Sequence, residues 1–348
     1  MQARRLDTIS RAYFNDRLGP FLVRACELTG MDVALPMNSG AEAVETGIKA
    51  ARKWAYKVKG VAADRAEIIV AEGNFHGRTI SIIGFSSVPQ YRDGFGPFPP
   101  GFRRVAYGDA AALKAAITPN TAAFLVEPVQ GEGGIIVPPK GYLAEVARIC
   151  RAHNVLLLAD EVQSGLGRTG KLLACEHDAV VPDGLMLGKA LGGGLLPVSM
   201  FLARREVMEV FKPGDHGSTF GGNPIAAAVG LAALDTLIGE GLIDNAARVG
   251  AHLLRRLRAI NNPLICEVRG LGLFAGIELR PELADAGAAV RRLIDVGILT
   301  KDTHRNTVRL APPLIINESQ IDWVVDHLAQ ALEQMASDRT SVAPVVSA

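Results

Sequence analysis

Short, nearly unbroken apolar runs alternate with amphipathic stretches through the middle of the chain. The apolar runs are Glu67–Ala71, Ala122–Val126, Val155–Ala159, Leu185–Leu187 and Val198–Ala203. Apolar residues at helical spacing mark Gly40–Lys59, Leu113–Ile117 and Tyr142–His153. Strands that are apolar on both faces, separated by helices, predict a mostly parallel sheet covered on both sides. From about Leu242 the texture changes. Long helical patterns at Ile243–Ile260 and Glu318–Met335 bracket short strands at Ile265–Val268, Phe274–Glu278 and Thr307–Leu310. The fold class expected is α/β. A large domain spans 1–241, a smaller C-terminal α+β domain 242–335, and a disordered Ser/Thr/Pro/Ala-rich tail 336–348.

Composition narrows the function classes. The 348 residues are 49% hydrophobic and 21% charged, which excludes a disordered chain and allows a well-filled core. Thirty-seven basic residues against thirty-six acidic ones give a formal charge of +1, which argues against nucleic-acid or polybasic membrane partners. No apolar run approaches the roughly 18 residues needed to span a bilayer. Asp7 and Asp16, among the N-terminal arginines, weaken a transit-peptide reading. Cys26, Cys150, Cys175 and Cys266 form no CxxC pair, so free thiols, no metal site and a cytoplasmic protein are expected.

Ligands of open α/β sheets sit at the carboxyl ends of the strands. Asp160 ends one apolar run, where the plain alternative is a carboxylate capping the next turn. Lys189 follows another run and precedes Gly192–Gly194. A lone lysine is most often solvated, but a desolvated one between glycines can attack a carbonyl. Together the two meet the needs of pyridoxal phosphate (PLP), a lysine for the aldehyde and an acid for the pyridinium nitrogen. Ser39 and Glu42 have the spacing of a capping box, which would aim the amides of Gly40 and Ala41 at a phosphate. Ser218 and Thr219 add hydroxyls before a later helix. Gly165–Gly170 matches G-x-G-x-x-G, but Glu161–Ser164 separate it from the strand and no helical period follows, so a dinucleotide site is not expected.

Longer motifs then bear on the family. They are Asn38-Ser-Gly-Ala-Glu-Ala, Asn74-Phe-His-Gly-Arg-Thr, Val126-Glu-Pro-Val-Gln-Gly-Glu-Gly-Gly, Ala159-Asp-Glu-Val-Gln-Ser-Gly, Gly188-Lys and His216-Gly-Ser-Thr-Phe-Gly-Gly-Asn-Pro. With them the chain resembles the class III (ornithine/acetylornithine type) PLP-dependent aminotransferases along nearly its whole length. Leu35–Thr46, Arg92–Phe98 and Val308–Leu314 look most like the ornithine subgroup. The resemblance implies the fold type I architecture of PLP-dependent transferases and a homodimer with shared active sites. It implies transfer of ornithine's δ-amino group to 2-oxoglutarate, with acetylornithine or 4-aminobutyrate as alternative donors. An alternative of another class is a PLP-binding protein with little turnover.

Roles carry over by the same resemblance. Lys189 would hold the cofactor and move the proton, and Asp160 would face the pyridinium nitrogen. Phe75 and Val162 would cover the two ring faces, and Gln163 would lie near the phenolic oxygen. Gly40 and Ala41 would bind the phosphate, with Ser218 beside them and Thr219 reaching it from the neighbouring subunit. Arg78 would take a substrate carboxylate. Glu132 and Arg309 would form a switch pair that opens for glutamate and stays closed for ornithine. Family members also carry several dozen residues ahead of the position of Met1, which supply small-domain strands and substrate-binding tyrosines. That segment is expected to be truncated in this chain.

Overall fold

Seven strands build one sheet in the computed structural model, which describes residues 2–10, 12–304 and 306–342. They are β1 (Val33–Met37), β2 (Glu67–Ala71), β3 (Phe102–Val105), β4 (Thr121–Val126), β5 (Leu156–Asp160), β6 (Gly184–Leu187) and β7 (Ser199–Ala203). Their order is β1-β7-β6-β5-β4-β2-β3. The neighbours from β6 to β3 run parallel, whereas β7 is antiparallel to both β6 and β1. Two reversals restore direction, so β1 points the same way as β6. The carboxyl ends of β1, β2, β4, β5 and β6 therefore share one edge of the sheet.

Burial explains which strands were legible. Every residue of β4 to β7 is buried, as a continuous apolar run requires. The helix Gly40–Trp54 lays Ala43, Val44, Ile48 and Ala51 on Ile68, Val70, Leu125, Leu158 and Phe201. Full burial of each large side chain contributes about 1.5–3 kcal/mol. The two strands absent from the apolar pattern, β1 and β3, are the sheet edges. β1 holds Pro36, which a ladder tolerates at an edge, and β3 exposes Arg103 and Arg104. The helical pattern Gly40–Lys59 is one continuous run whose final turn, Ala55–Lys59, widens to π geometry. The pattern at Leu113–Ile117 is the helix Ala110–Ala116, started by Asp109, whose side chain accepts from Ala112 N.

A second sheet comprises β8 (Ile265–Leu271), β9 (Phe274–Leu279), β10 (Lys301–Thr303) and β11 (Thr307–Leu310), antiparallel in the order β10-β11-β9-β8. The helices Leu242–Arg258, Ala286–Asp295 and Glu318–Val342 close its core through Leu253, Leu293, Ile321 and Leu328 against Ile277 and Val308. The chain divides into two units, Met1–Val129 with Pro138–Leu166 and Lys171–Gly241, and Gln130–Val137 with Gly167–Gly170 and Leu242–Ala348. The loop 130–137, inside the range read as the first domain, thus groups with the second unit.

One expectation is corrected at the end of the chain. The tail from Ala336 does not begin as disordered chain, because the last helix runs on to Val342. Asp338 pairs with Arg292 at 2.7 Å and Arg339 donates to the carbonyls of Glu282 and Leu283, so tertiary contacts hold a stretch with little apolar content. Residues 343–348, also read as tail, lie outside the described residues.

Candidate active site

The common edge of the first sheet delivers its polar residues to one place. β5 ends at Asp160, and its neighbour β6 leads directly into Gly188 and Lys189. The chain leaving β2 supplies Phe75 and His76, and that leaving β4 supplies Glu127. β1 leads into Ser39 and the helix Gly40–Trp54. Gly40, Ala41, Phe75, His76, Gly77, Glu127, Asp160, Val162, Gln163 and Lys189 line a cavity of about 180 Å³. One water needs only about 10–15 Å³ by this kind of measure, so there is room for a far larger ligand.

Asp160 is buried, and a buried carboxylate must be paired or hydrogen-bonded. Its Oδ1 accepts from Val162 N at 3.0 Å, and its Oδ2 lies 2.7 Å from His76 Nδ1. Burial pushes the His76 imidazole down, but the hydrogen bond and charge of Asp160, helped by Glu127, outweigh it and hold its pKa above the usual value. His76 Nε2 is buried with no hydrogen-bond partner. The turn after Asp160 is pinned by Glu161, which accepts from Ser164 Oγ at 2.6 Å and from Cys175 N at 2.8 Å. Glu127 in turn fixes Phe75, accepting from its amide at 2.9 Å. Lys189 adopts φ +43°, a left-handed conformation that costs a residue with Cβ about 1–3 kcal/mol and concentrates at functional sites.

The helix start is built as the capping-box spacing requires. Glu42 N donates to Ser39 Oγ, and the Glu42 carboxylate accepts from Ser39 N at 2.7 Å and from Asn38 N at 2.9 Å. Burial opposes the charge on Glu42, but these hydrogen bonds prevail and hold its carboxyl below the usual range. The amides of Gly40 and Ala41 belong to the first turn, where no intrahelical carbonyl is available to them. A Cβ on Gly40 would come within 2.8 Å of Val162 Cγ1, so only glycine lets the helix start approach this wall of the cavity.

The structure therefore gathers Lys189, Asp160, Gly40, Ala41, Phe75, Val162 and Gln163 in one place. The guanidinium of Arg78 lies 4.2 Å over the Tyr91 ring and 5.7 Å from that of Phe75. Ser218 and Thr219 are not among the residues lining the cavity, and Ser218 Oγ accepts from Asn38 Nδ2 and Gly221 N instead. In the second unit Arg309 Nη1 meets Glu132 Oε1 at 2.8 Å, and Lys301 Nζ meets Glu132 Oε2 at the same distance. Sequence reasoning missed His76, Glu127 and Lys301. The first two sit inside the quoted motifs, and only their burial marks them out.

The residues present fit pyridoxal phosphate. A buried carboxylate answers a ring N–H, Phe75 and Val162 offer apolar walls, a helix start offers amides to a phosphate, and Lys189 offers its amine.

The family model for class III aminotransferases matches residues 1–332. Ornithine aminotransferase of Brevibacillus brevis is 52% identical over 331 residues, covering 95% of this chain and 82% of that protein. A structure of Toxoplasma gondii ornithine aminotransferase with partial occupancy of PLP at its active site superposes with a TM-score of 0.95 at 45% identity, covering 97% of this chain and 80% of that one. An acetylornithine aminotransferase structure from Elizabethkingia anophelis gives 0.86 at 48% identity, covering 96% and 83%.

The raised His76 pKa has a definite sign. Stability from the charged imidazole is fully present below the unfolded value of about 6.5 and is lost as pH rises through the higher folded value. A titration of the ring signals of ¹⁵N-histidine-labelled protein, without ligand, should show one buried imidazole still protonated above pH 6.5, and His76→Phe should remove that signal. A neutral His76 at pH 6.5 contradicts the assignment.

Proposed function

Because the chain belongs to the class III aminotransferase family, we propose that it is an ornithine δ-aminotransferase. It moves the δ-amino group of L-ornithine to 2-oxoglutarate, giving glutamate 5-semialdehyde and glutamate. The observation that carries the choice of substrate is the Glu132–Arg309 pair. One enzyme has to accept both ornithine, which has two amines and one carboxylate, and glutamate, which has two carboxylates. A fixed arginine would favour the second, whereas an arginine neutralised in place tolerates the first and can be released for the second.

Pyridoxal phosphate, when bound, supplies a carbonyl carbon for the amino group and a ring that stores the electron pair left when a C–H bond breaks. The first unit would hold it. Gly40 and Ala41 amides bind the phosphate, Phe75 and Val162 confine the ring, and Gln163 addresses the phenolic oxygen. Asp160 keeps a proton on the ring nitrogen, and His76 keeps Asp160 ionised and oriented. Lys189 Nζ anchors the cofactor and then takes and returns the proton at the substrate's δ-carbon. Arg78 and Arg309 receive carboxylates, and Glu132 releases Arg309 when a second carboxylate arrives. Thr219 serves the phosphate of the neighbouring subunit in a homodimer, which accords with its place outside the cavity of a single chain. The same reading puts the enzyme in the cytoplasm.

Labelling, trapping and subunit mixing test this. Ornithine labelled with ¹⁵N at the δ position should pass its label to glutamate, and α-labelled ornithine should not. Turnover with N-acetylornithine and none with ornithine would move the assignment to the sister activity, and bound cofactor with no turnover of either would make the protein a binder. Borohydride should fix the cofactor to Lys189 alone. For the dimer, Lys189→Ala and Thr219→Ala chains, each inactive, are mixed after dissociation. Shared sites return about a quarter of wild-type activity, since random mixing makes half the dimers mixed and each has one intact site of two. No recovery means that Thr219 serves its own subunit.

A further inference from the structure

The carboxylate of Glu132 meets two cations of the second unit. Arg309 and Lys301 each reach one of its oxygens at 2.8 Å. These two cations are also register partners on neighbouring strands, Lys301 of β10 facing Arg309 of β11. Like charges directly opposite each other destabilise a sheet, so this pair exists because an anion lies between its ends. Arg168, held by the carbonyls of Leu273 and Pro312 at 3.0 and 2.6 Å, adds a positive charge near Arg309. Burial first, and then the charge of Arg309, lower its pKa to about 10.

The backbone under Glu132 is fastened. Thr303 Oγ1 donates to the Glu132 carbonyl. Arg269 donates twice to the Gly134 carbonyl, from Nε at 2.8 Å and Nη2 at 2.6 Å, and is itself held by Glu267 and Glu278. Gly134 has φ +112°, which suits glycine, and a Cβ there would crowd His304 O and Arg269 Nη2 at 3.0 and 3.1 Å. The side chains of Glu132 and Arg309 are only 18% and 21% exposed, whereas that of Lys301 is 49% exposed.

We propose that Lys301 is a positioning residue of the switch, the partner that keeps Glu132 paired while Arg309 binds a substrate carboxylate. The proposal deepens the ornithine aminotransferase reading and rests on it. Parting Arg309 from a half-buried carboxylate is costly if that carboxylate then stands alone. Lys301 already touches the second oxygen, and its ammonium is a point charge on a flexible stem that can follow the carboxylate as it turns. Lys301 thereby lowers the cost of admitting a dicarboxylate and sets the balance between the two substrates.

The test uses the holoenzyme and the variants Lys301→Met and Lys301→Arg. Lys301→Met should raise KM for 2-oxoglutarate about 3- to 10-fold more than KM for ornithine, the size expected of coupled charged neighbours. Lys301→Arg should return that ratio to within about 2-fold of wild type, since the charge is kept. In a Glu132→Ala background the Lys301→Met effect should shrink below about 2-fold. Equal KM changes for both substrates overturn the proposal. So does an undiminished effect without Glu132, which would mean that Lys301 attracts the anion directly. Calorimetric binding of glutarate, a dicarboxylate with no amine, separates this proposal from the donor assignment. Weaker glutarate binding by Lys301→Met than by wild type supports the role of Lys301 even if ornithine is not the donor. Equal glutarate binding overturns it even if ornithine turnover stands.

Discussion

A carboxylate at the end of a strand buried on both faces has to be paired, and Asp160 is in that position. Much of the first unit follows from meeting this demand. β2 lies two strands from β5, and the chain leaving it brings His76 back to the carboxylate at 2.7 Å. The turn after β5 folds Val162 N onto the other oxygen, and Glu161 buries itself to pin that turn. Phe75 precedes His76, so seating the imidazole also seats the ring that would cover a cofactor. The pairing of Asp160 and the architecture of the cavity are one arrangement.

The two units handle charge differently. In the first, polarity is fixed: a buried acid–base pair, Asp160 with His76, and a helix start whose amides are aimed by the Ser39–Glu42 box. Such preorganised groups stabilise developing charge without reorganising as the reaction proceeds. In the second, Glu132 divides its oxygens between Arg309 and Lys301, the arrangement that the proposed switch would adjust. A transaminase needs both kinds, because its chemistry repeats with each substrate while the substrates differ in charge.

The buried strands, Asp160 and Lys189 were legible for one reason. A continuous apolar run that stops at an acid or at Gly-Lys marks both a buried strand and its functional end. The edges β1, β3 and β10 carry proline or charge and leave no such run. Lys301 was hidden with β10, because Lys-Asp-Thr reads as loop until its pairing with β11 is known. His76 was hidden for another reason, since a histidine two residues after Asn74 shows neither its burial nor its partner. Phe75, Val162, Gln163 and the Glu132–Arg309 pair came from family resemblance, which carries long-range proximity that periodicity does not.

The central claim is that Asp160 governs the protonation of the bound ring. The most direct measurement is the ¹⁵N resonance of PLP labelled at its ring nitrogen and bound to the protein. Wild type should hold the signal in the protonated range from pH 6 to 9, and Asp160→Asn should move it to the unprotonated range. A signal in the same range for both proteins would contradict the claim that the Asp160 carboxylate holds the ring proton.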